Sequence, residues 1–185
     1  MRLFIAIELP NEIKQGIAKV QEDLKKTGAN AGWTRPEGMH LTLKFLGEVP
    51  EVKVPEIMQT LDDAAKGTGK LSLSIEGAGA FPHTKNPRVI WIGVGGDVKE
   101  LGVLQAGIEE AMEKIGFERE ARKFSPHLTL ARIKFLKPRD NWQQRIEGIR
   151  DVNLGKFEAG QVSLMKSELK RDGAVYRSVG RVELN

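Results

Sequence analysis

The chain has 185 residues, 40% hydrophobic and 29% charged, the balance of a folded globular protein of one ordinary domain and not of a disordered chain. It contains no cysteine, which excludes disulfides, thiolate nucleophiles and cysteine-based zinc sites, and no apolar stretch approaches the roughly 20 residues that span a bilayer. A formal charge of +4 and a pI near 9.3 make a polyanionic partner reasonable without requiring one.

Met1 to Pro10 sets a charge before an apolar run, as a signal peptide does, but Glu8 and Pro10 interrupt the run and no small-residue cleavage site follows. The segment is expected to be a first β-strand, with Leu3, Ile5 and Ile7 alternating against Phe4, Ala6 and Glu8, and the expected location is cytoplasmic by default. Asn11 then opens a helical stripe of Ile13, Ile17, Val20 and Leu24, closed by Lys25, Lys26 and a stop at Gly28. Met39 to Leu46 reads as a second strand, and Val54, Ile57, Leu61 and Ala65 as a second helix. Leu71 to Ile75 alternates, and Arg88 to Val94 is β-branched and aromatic, so both are predicted strands.

The second half resembles the first. Leu101, Leu104, Ile108 and Ile115 form a helical stripe, and Phe124 to Ile133 a strand. Lys137 to Asn141 reads as a loop leading to a short helix from Trp142 to Ile149. Phe157 to Met165 and Val175 to Leu184 are predicted closing strands, with a turn at Lys170-Arg171-Asp172-Gly173. No linker divides the chain, and strands follow one another directly from Leu71 to Val94. That pattern points to an α+β fold over residues 1–185 as a single domain, not a doubly wound parallel sheet.

Within this framework one tetrapeptide occurs twice, as His40-Leu41-Thr42-Leu43 and His127-Leu128-Thr129-Leu130, and the chain has only three histidines. Strand side chains alternate between faces, so His40 and Thr42 point one way and Leu41, Leu43 and Phe45 the other. His127 and Thr129 likewise oppose Leu128 and Leu130. Each motif is thus a strand with an apolar back and a polar front, and two such fronts make a groove with two imidazoles and two hydroxyls. By the same parity Lys44 faces the groove rim and Phe45 the core. Parity does not place Arg132 in the groove, but an arginine just past a strand end can curl back and bond a phosphate bidentately.

Such a set suits proton transfer at phosphorus. A neutral imidazole removes a proton from water or a hydroxyl while an imidazolium protonates the departing oxygen, and the threonine hydroxyls donate to the oxygens where charge builds. No metal or other cofactor is needed, and the residues alone demand one acid and one base without saying which is which. A metal site would lack its third ligand. His83, in the loop Phe81 to Pro87, reads as a loop residue, Arg122 and Lys123 as a solvated basic run, and Trp33, Trp91 and Trp142 as core or rim packing.

The two HxTx motifs stand in the segments WTRPEGMHLTLKFLGEV and FSPHLTLAR; with the opening MRLFIAIELP, NPRVIWIGV and Ser167-Glu168-Leu169, they resemble the 2H phosphoesterase superfamily. More narrowly they resemble the RNA 2′,3′-cyclic phosphodiesterases, also called the 2′-5′ RNA ligase family. The resemblance implies a bilobal fold, with two pseudo-symmetric antiparallel sheets lining a central cleft and helices outside. It implies metal-independent hydrolysis of RNA 2′,3′-cyclic phosphate ends, including those of tRNA fragments or nucleotides, to 2′-phosphomonoesters. His40 would be the proton donor and His127 the acceptor, with Thr42, Thr129 and Arg132 on the phosphate. The same site can run backwards as a 2′-5′ ligase, although no adenylation motif is present to drive joining. A monomer is expected, because no coiled coil or long apolar surface helix is evident. The competing function is a module that binds RNA ends without turnover.

Overall fold

The computed structural model of the chain describes residues 1–26, 30–170 and 173–185. Among these residues the strands form two antiparallel sheets. The first has the order β3 (His40–Glu48), β1 (Arg2–Glu8), β8 (Gln161–Lys170) and β9 (Gly173–Glu183). The second has the order β2 (Gly32–Trp33), β6 (His127–Arg132), β5 (Val89–Gly96), β4 (Leu71–Phe81) and β7 (Asn153–Ala159). The helices α1 (Asn11–Lys25), α2 (Val54–Ala65), α3 (Val98–Lys114) and α4 (Trp142–Gly148) cover the outside, which is the expected bilobal α+β arrangement.

The sheets repeat one pattern. In each, the strand bearing the tetrapeptide pairs with the strand before its helix, and that strand pairs with a third from the other half of the chain: β3-β1-β8 and β6-β5-β4. The apolar backs of both sheets share one continuous core with the helix stripes. Ile5, Leu41 and Leu164 meet it from one sheet, Ile92, Leu128 and Leu73 from the other, and Ile17, Leu61 and Ile108 from the helices. Each such side chain, fully buried, stabilises by about 1.5–3 kcal/mol. A separate small cluster of Phe4, Ala6 and Met165, with Tyr176 against it, lies apart from this core. That explains why Leu3 to Ile7 are buried without alternation: β1 is covered on both faces.

Several boundaries differ from the sequence reading. The stretch from Phe157 to Met165 is two strands, not one. It breaks at Gly160, where the chain leaves the second sheet and enters the first. The strand expected from Phe124 begins only at His127, because Pro126 has no N–H to give a ladder. Conversely β4 runs on past Ile75 to Phe81 through an irregularity at Gly77, whose φ of 71° suits glycine. The helix stop at Gly28 and the turn residues Arg171 and Asp172 lie outside the described residues.

Parity also fails at Lys44 and Phe45, with Lys44 only 3% exposed and Phe45 67% exposed. In the β1–β3 ladder Ala6 faces Thr42 and Ile5 faces Lys44, so Leu43 is an extra residue, a β-bulge. Beyond it the faces exchange. Lys44 turns inward, where its Nζ meets Glu109 Oε2 of α3 at 2.6 Å and donates to Glu118 O at 2.7 Å. Gln105 Nε2 and Glu120 N donate to the same carboxylate, each at 3.3 Å.

Removing one partner from a buried pair leaves the other charge uncompensated, at a cost of about 3–5 kcal/mol. Lys44→Met is therefore expected to lose stability of that order in urea unfolding, and Lys44→Met with Glu109→Gln to recover much of it. Equal losses in the single and double variants would show that the pair itself matters little.

Candidate active site

The bulge in β3 has a counterpart in β6. There Trp91 faces Thr129 and Ile90 faces Ala131, so Leu130 is the extra residue. The motif thus bends at the same leucine in both halves, and in both the residue two places on is returned to the polar front. Phe45 joins His40 and Thr42 on one side, and Arg132 joins His127 and Thr129 on the other. Alternation alone sends Phe45 to the core and leaves Arg132 to curl back, whereas the bulge delivers both. The two motif strands come into contact where the sheets meet.

Each bulge is held by a buried glutamine. Gln105 Nε2, on α3, donates to Leu43 O at 3.2 Å. Gln21 Nε2, on α1, donates to Leu130 O at 2.9 Å and to Thr34 O at 2.7 Å. The assignment is crossed. α1 follows β1 of the first sheet yet pins the second motif, and α3 follows β5 of the second sheet yet pins the first. Gln21 is 1% exposed and its Oε1 has no partner among the described residues. Its Nε2 meets two backbone carbonyls, which offsets part of the desolvation of the amide. Neither glutamine is among the residues expected at the site, although Gln21 interrupts an otherwise apolar stripe between Val20 and Leu24.

The histidines are set alike. Nδ1 of His40 lies 2.7 Å from Gly38 O, and Nδ1 of His127 lies 2.7 Å from Ser125 O. A carbonyl only accepts, so Nδ1 carries the hydrogen in both rings and Nε2 is the atom left for chemistry. His40 sits among rings, with centroids 4.4 Å from Phe4 and 4.9 Å from Tyr176. His127 meets the edge of Phe81 at 5.0 Å, and Phe81 leans on Trp91 at 5.4 Å. Glycine makes room on both sides. A Cβ on Gly38 would stand 2.9 Å from the Tyr176 ring, and one on Gly79 2.5 Å from the indole of Trp91. Beside His127 a cavity of about 330 Å³ is lined by Phe81, Trp91, Pro126 and Val98.

Burial pushes the His40 imidazole down from 6.5 to about 4; the Gly38 carbonyl works against this, the Lys14 charge adds to it, and Glu8 opposes it. Glu8 is the cross-strand neighbour of His40. It accepts from Ser163 Oγ at 2.7 Å and Arg181 Nε at 3.0 Å. Burial raises the Glu8 carboxyl, but these two hydrogen bonds, with the charges of Arg181 and Lys14, outweigh it and hold the group below the ordinary carboxylate range. Glu8 is thus a fixed negative charge at the first motif. Its signal in the sequence is the acid that interrupts the opening apolar run. Of the tryptophans, Trp142 is buried against Trp33 at 6.3 Å, as packing residues, and Trp91 lines the cleft. His83 is exposed in its loop, where Nδ1 accepts from Asn86 N at 3.2 Å.

The profile of the family described as LigT like phosphoesterase matches the chain twice, over residues 7–91 and 93–176. The chain belongs to this family. The double match follows the same division as the two bulged motifs, one in each segment. An RNA 2′,3′-cyclic phosphodiesterase of Methanocaldococcus jannaschii is 38% identical over 179 residues, covering 97% of this chain and 98% of that protein. One of Thermotoga maritima is 35% identical, covering 96% and 92%. Among solved structures, a protein of Thermus thermophilus is 30% identical with a TM-score of 0.77, covering 100% of this chain and 98% of that one. Escherichia coli LigT complexed with 3′-AMP shares the fold at a TM-score of 0.78 and 24% identity, covering 99% and 97%.

Two outcomes follow from this geometry. The unfolded chain binds the His40 proton more tightly than the native state, so the stability tied to this group is complete above about 6.5 and is lost as pH falls toward about 4. NMR titration should place the His40 midpoint near 4, and His40→Gln should flatten the stability profile between those pH values; a His40 midpoint at the ordinary 6.5 would refute the account. The second concerns the glutamines. Gln21→Leu takes a donor from the Thr34 and Leu130 carbonyls, so it should cost about 1–3 kcal/mol in unfolding and, in the folded protein, lower phosphoesterase kcat/KM by about tenfold or more, as small displacements of positioned groups do; Gln21→Glu should not restore either, because a carboxylate cannot donate. Full activity in Gln21→Leu would show that the bulge needs no pin.

Proposed function

We propose that the protein hydrolyses the 2′,3′-cyclic phosphate at RNA 3′ ends to a 2′-phosphomonoester without a metal ion. The observation that carries this reading is the matched pair of imidazoles, each with Nδ1 committed to a carbonyl two residues back and Nε2 left for the cleft. His127 Nε2 takes a proton from water as its oxygen attacks phosphorus. His40 Nε2 gives a proton to the 3′-oxygen as the P–O3′ bond breaks, which leaves a free 3′-hydroxyl and the phosphate on the 2′-oxygen. Thr42 and Thr129 donate to the non-bridging oxygens, and Arg132 bonds the phosphate from the second motif. Both proton transfers are supplied by side chains, so the step balances without a Lewis acid.

The donor must carry a proton that the free site disfavours. An anionic phosphate in the cleft, added to the charge of Glu8, raises His40 again. Substrate therefore charges its own acid. With a 5′-hydroxyl in place of water, the same displacement of the 3′-oxygen gives a 2′-5′ linkage, and opening that linkage is its reverse; the cavity beside His127 has the aromatic lining suited to a nucleobase. Both motifs lie on one chain, so a single copy completes the site, and the active form proposed is a cytoplasmic monomer. No helix among the described residues is long and apolar enough to cross a membrane.

A nucleoside 2′,3′-cyclic phosphate should be converted in excess EDTA, with phosphorus NMR showing the 2′-monoester. His40→Ala and His127→Ala should each lower the rate by about 10²–10⁴-fold. Tight RNA binding with no product formed would favour a binding module instead. Because kcat/KM reports the free protein and kcat the complex, the alkaline limb set by His40 should lie at higher pH in kcat than in kcat/KM. Superimposable limbs would refute substrate-driven charging of His40.

A further inference from the structure

The second motif strand ends at Arg132, and the chain that follows carries more positive charge than one phosphate needs. Residues 82–89 and 132–139 contain no aspartate or glutamate. They hold Lys85, Arg88, Arg132, Lys134, Lys137 and Arg139, all exposed, and none of the six is in an ion pair among the described residues. The nearest carboxylate in sequence, Asp140, is 4% exposed and turned into the protein. The two segments are clipped side by side, with Ile133 N donating to Arg88 O at 2.9 Å and Arg88 Nη1 to Lys134 O at 3.2 Å. Within this basic strip Phe135 is 77% exposed and Leu136 beside it is also exposed.

The opposite end of β6 differs. Arg122 is bound by Glu120 through Nε at 3.0 Å and Nη2 at 3.1 Å, and Arg119 lies 3.6 Å from Glu113. There the two arginines are met by the protein's own acids, and only Lys123 is left without an ion pair among the described residues. Uncompensated cations interleaved with an exposed ring are what single-stranded nucleic acid requires: charges for the phosphates and a face for a base.

We propose that the paired segments 82–89 and 132–139 form a track for the RNA strand on the 5′ side of the terminal nucleotide, with Phe135 stacking a base and Lys85, Lys134, Lys137 and Arg139 meeting successive phosphates. The track deepens the function proposed above and rests on it. It makes the preferred substrate a single-stranded oligoribonucleotide and not a free nucleotide. No base edge is read, so the preference is for strand length and not for sequence.

The test compares KM for a nucleoside 2′,3′-cyclic phosphate with KM for a short oligoribonucleotide ending in the same group, across a range of salt. The wild-type protein should favour the oligonucleotide at low salt and lose that advantage as salt rises. Replacing Lys85, Lys134, Lys137 and Arg139 by Gln should remove the advantage. The slope of log KM against log salt should fall by about 0.7 for each phosphate left without its cation, while the nucleotide KM stays the same. Phe135→Ala should raise the oligonucleotide KM by about fivefold or more at every salt concentration, the lower range of base–ring stacking. Equal KM for both substrates in the wild-type protein, or an unchanged advantage in the four-site variant, would overturn the proposal. If neither substrate is hydrolysed the cyclic phosphodiesterase reading fails. The track is then judged by fluorescence anisotropy with a labelled oligonucleotide bearing a 2′-phosphate, where unaltered binding by the four-site variant overturns it.

Discussion

The cleft depends on a break in strand periodicity. A regular strand can offer alternate residues only, so His-x-Thr on one face would be followed by a third residue on that face at the next even step. The bulge at Leu43 and at Leu130 shifts that step by one. It buries Lys44 against Glu109, exposes Phe45, and sets Arg132 on the strand face of His127 and Thr129. Two residues that distinguish the halves of the site lie just beyond the bulges: an aromatic ring on one side and a guanidinium on the other.

A bulge is held only if its backbone groups are satisfied. Here buried glutamines do this, each reaching from the helix that belongs to the other motif. Gln21 keeps an unpartnered oxygen in the core, a cost tolerated for the sake of where Leu130 sits. The same economy appears at His40. Rings of Phe4 and Tyr176 bury an imidazole that the proposed mechanism requires charged, and Glu8 supplies only part of the compensation. Under that mechanism the free site is held in the state that does not react.

Period-two alternation in the sequence is enough to find both motif strands, their apolar backs and the α+β class, because these depend on side chains one or two places apart. The repeat of His-Leu-Thr-Leu points to a matched pair of imidazoles, since one motif alone reads as a surface strand. What alternation misses follows from features that side-chain pattern does not encode. The bulges at Leu43 and Leu130 are set by ladder register, so alternation assigns Lys44 and Phe45 to each other's faces. Gly160 reads as part of a strand because its flanks, Phe157 to Ala159 and Val162 to Met165, are each strand-like; only pairing shows that they serve different sheets. Gln21 and Gln105 act on carbonyls 109 and 62 residues away, beyond any local signal.

The crossing of elements between halves reaches further than the site. The first matched segment, residues 7–91, lends β4 to the sheet that carries the second motif, and the second, residues 93–176, lends β8 to the sheet that carries the first. The helices cross in the same sense. Half of this chain by itself would therefore hold a motif with an unpinned bulge beside a strand whose far edge stood open. The smallest assembly able to present one finished motif strand is two half-chains that have exchanged a strand and a helix contact.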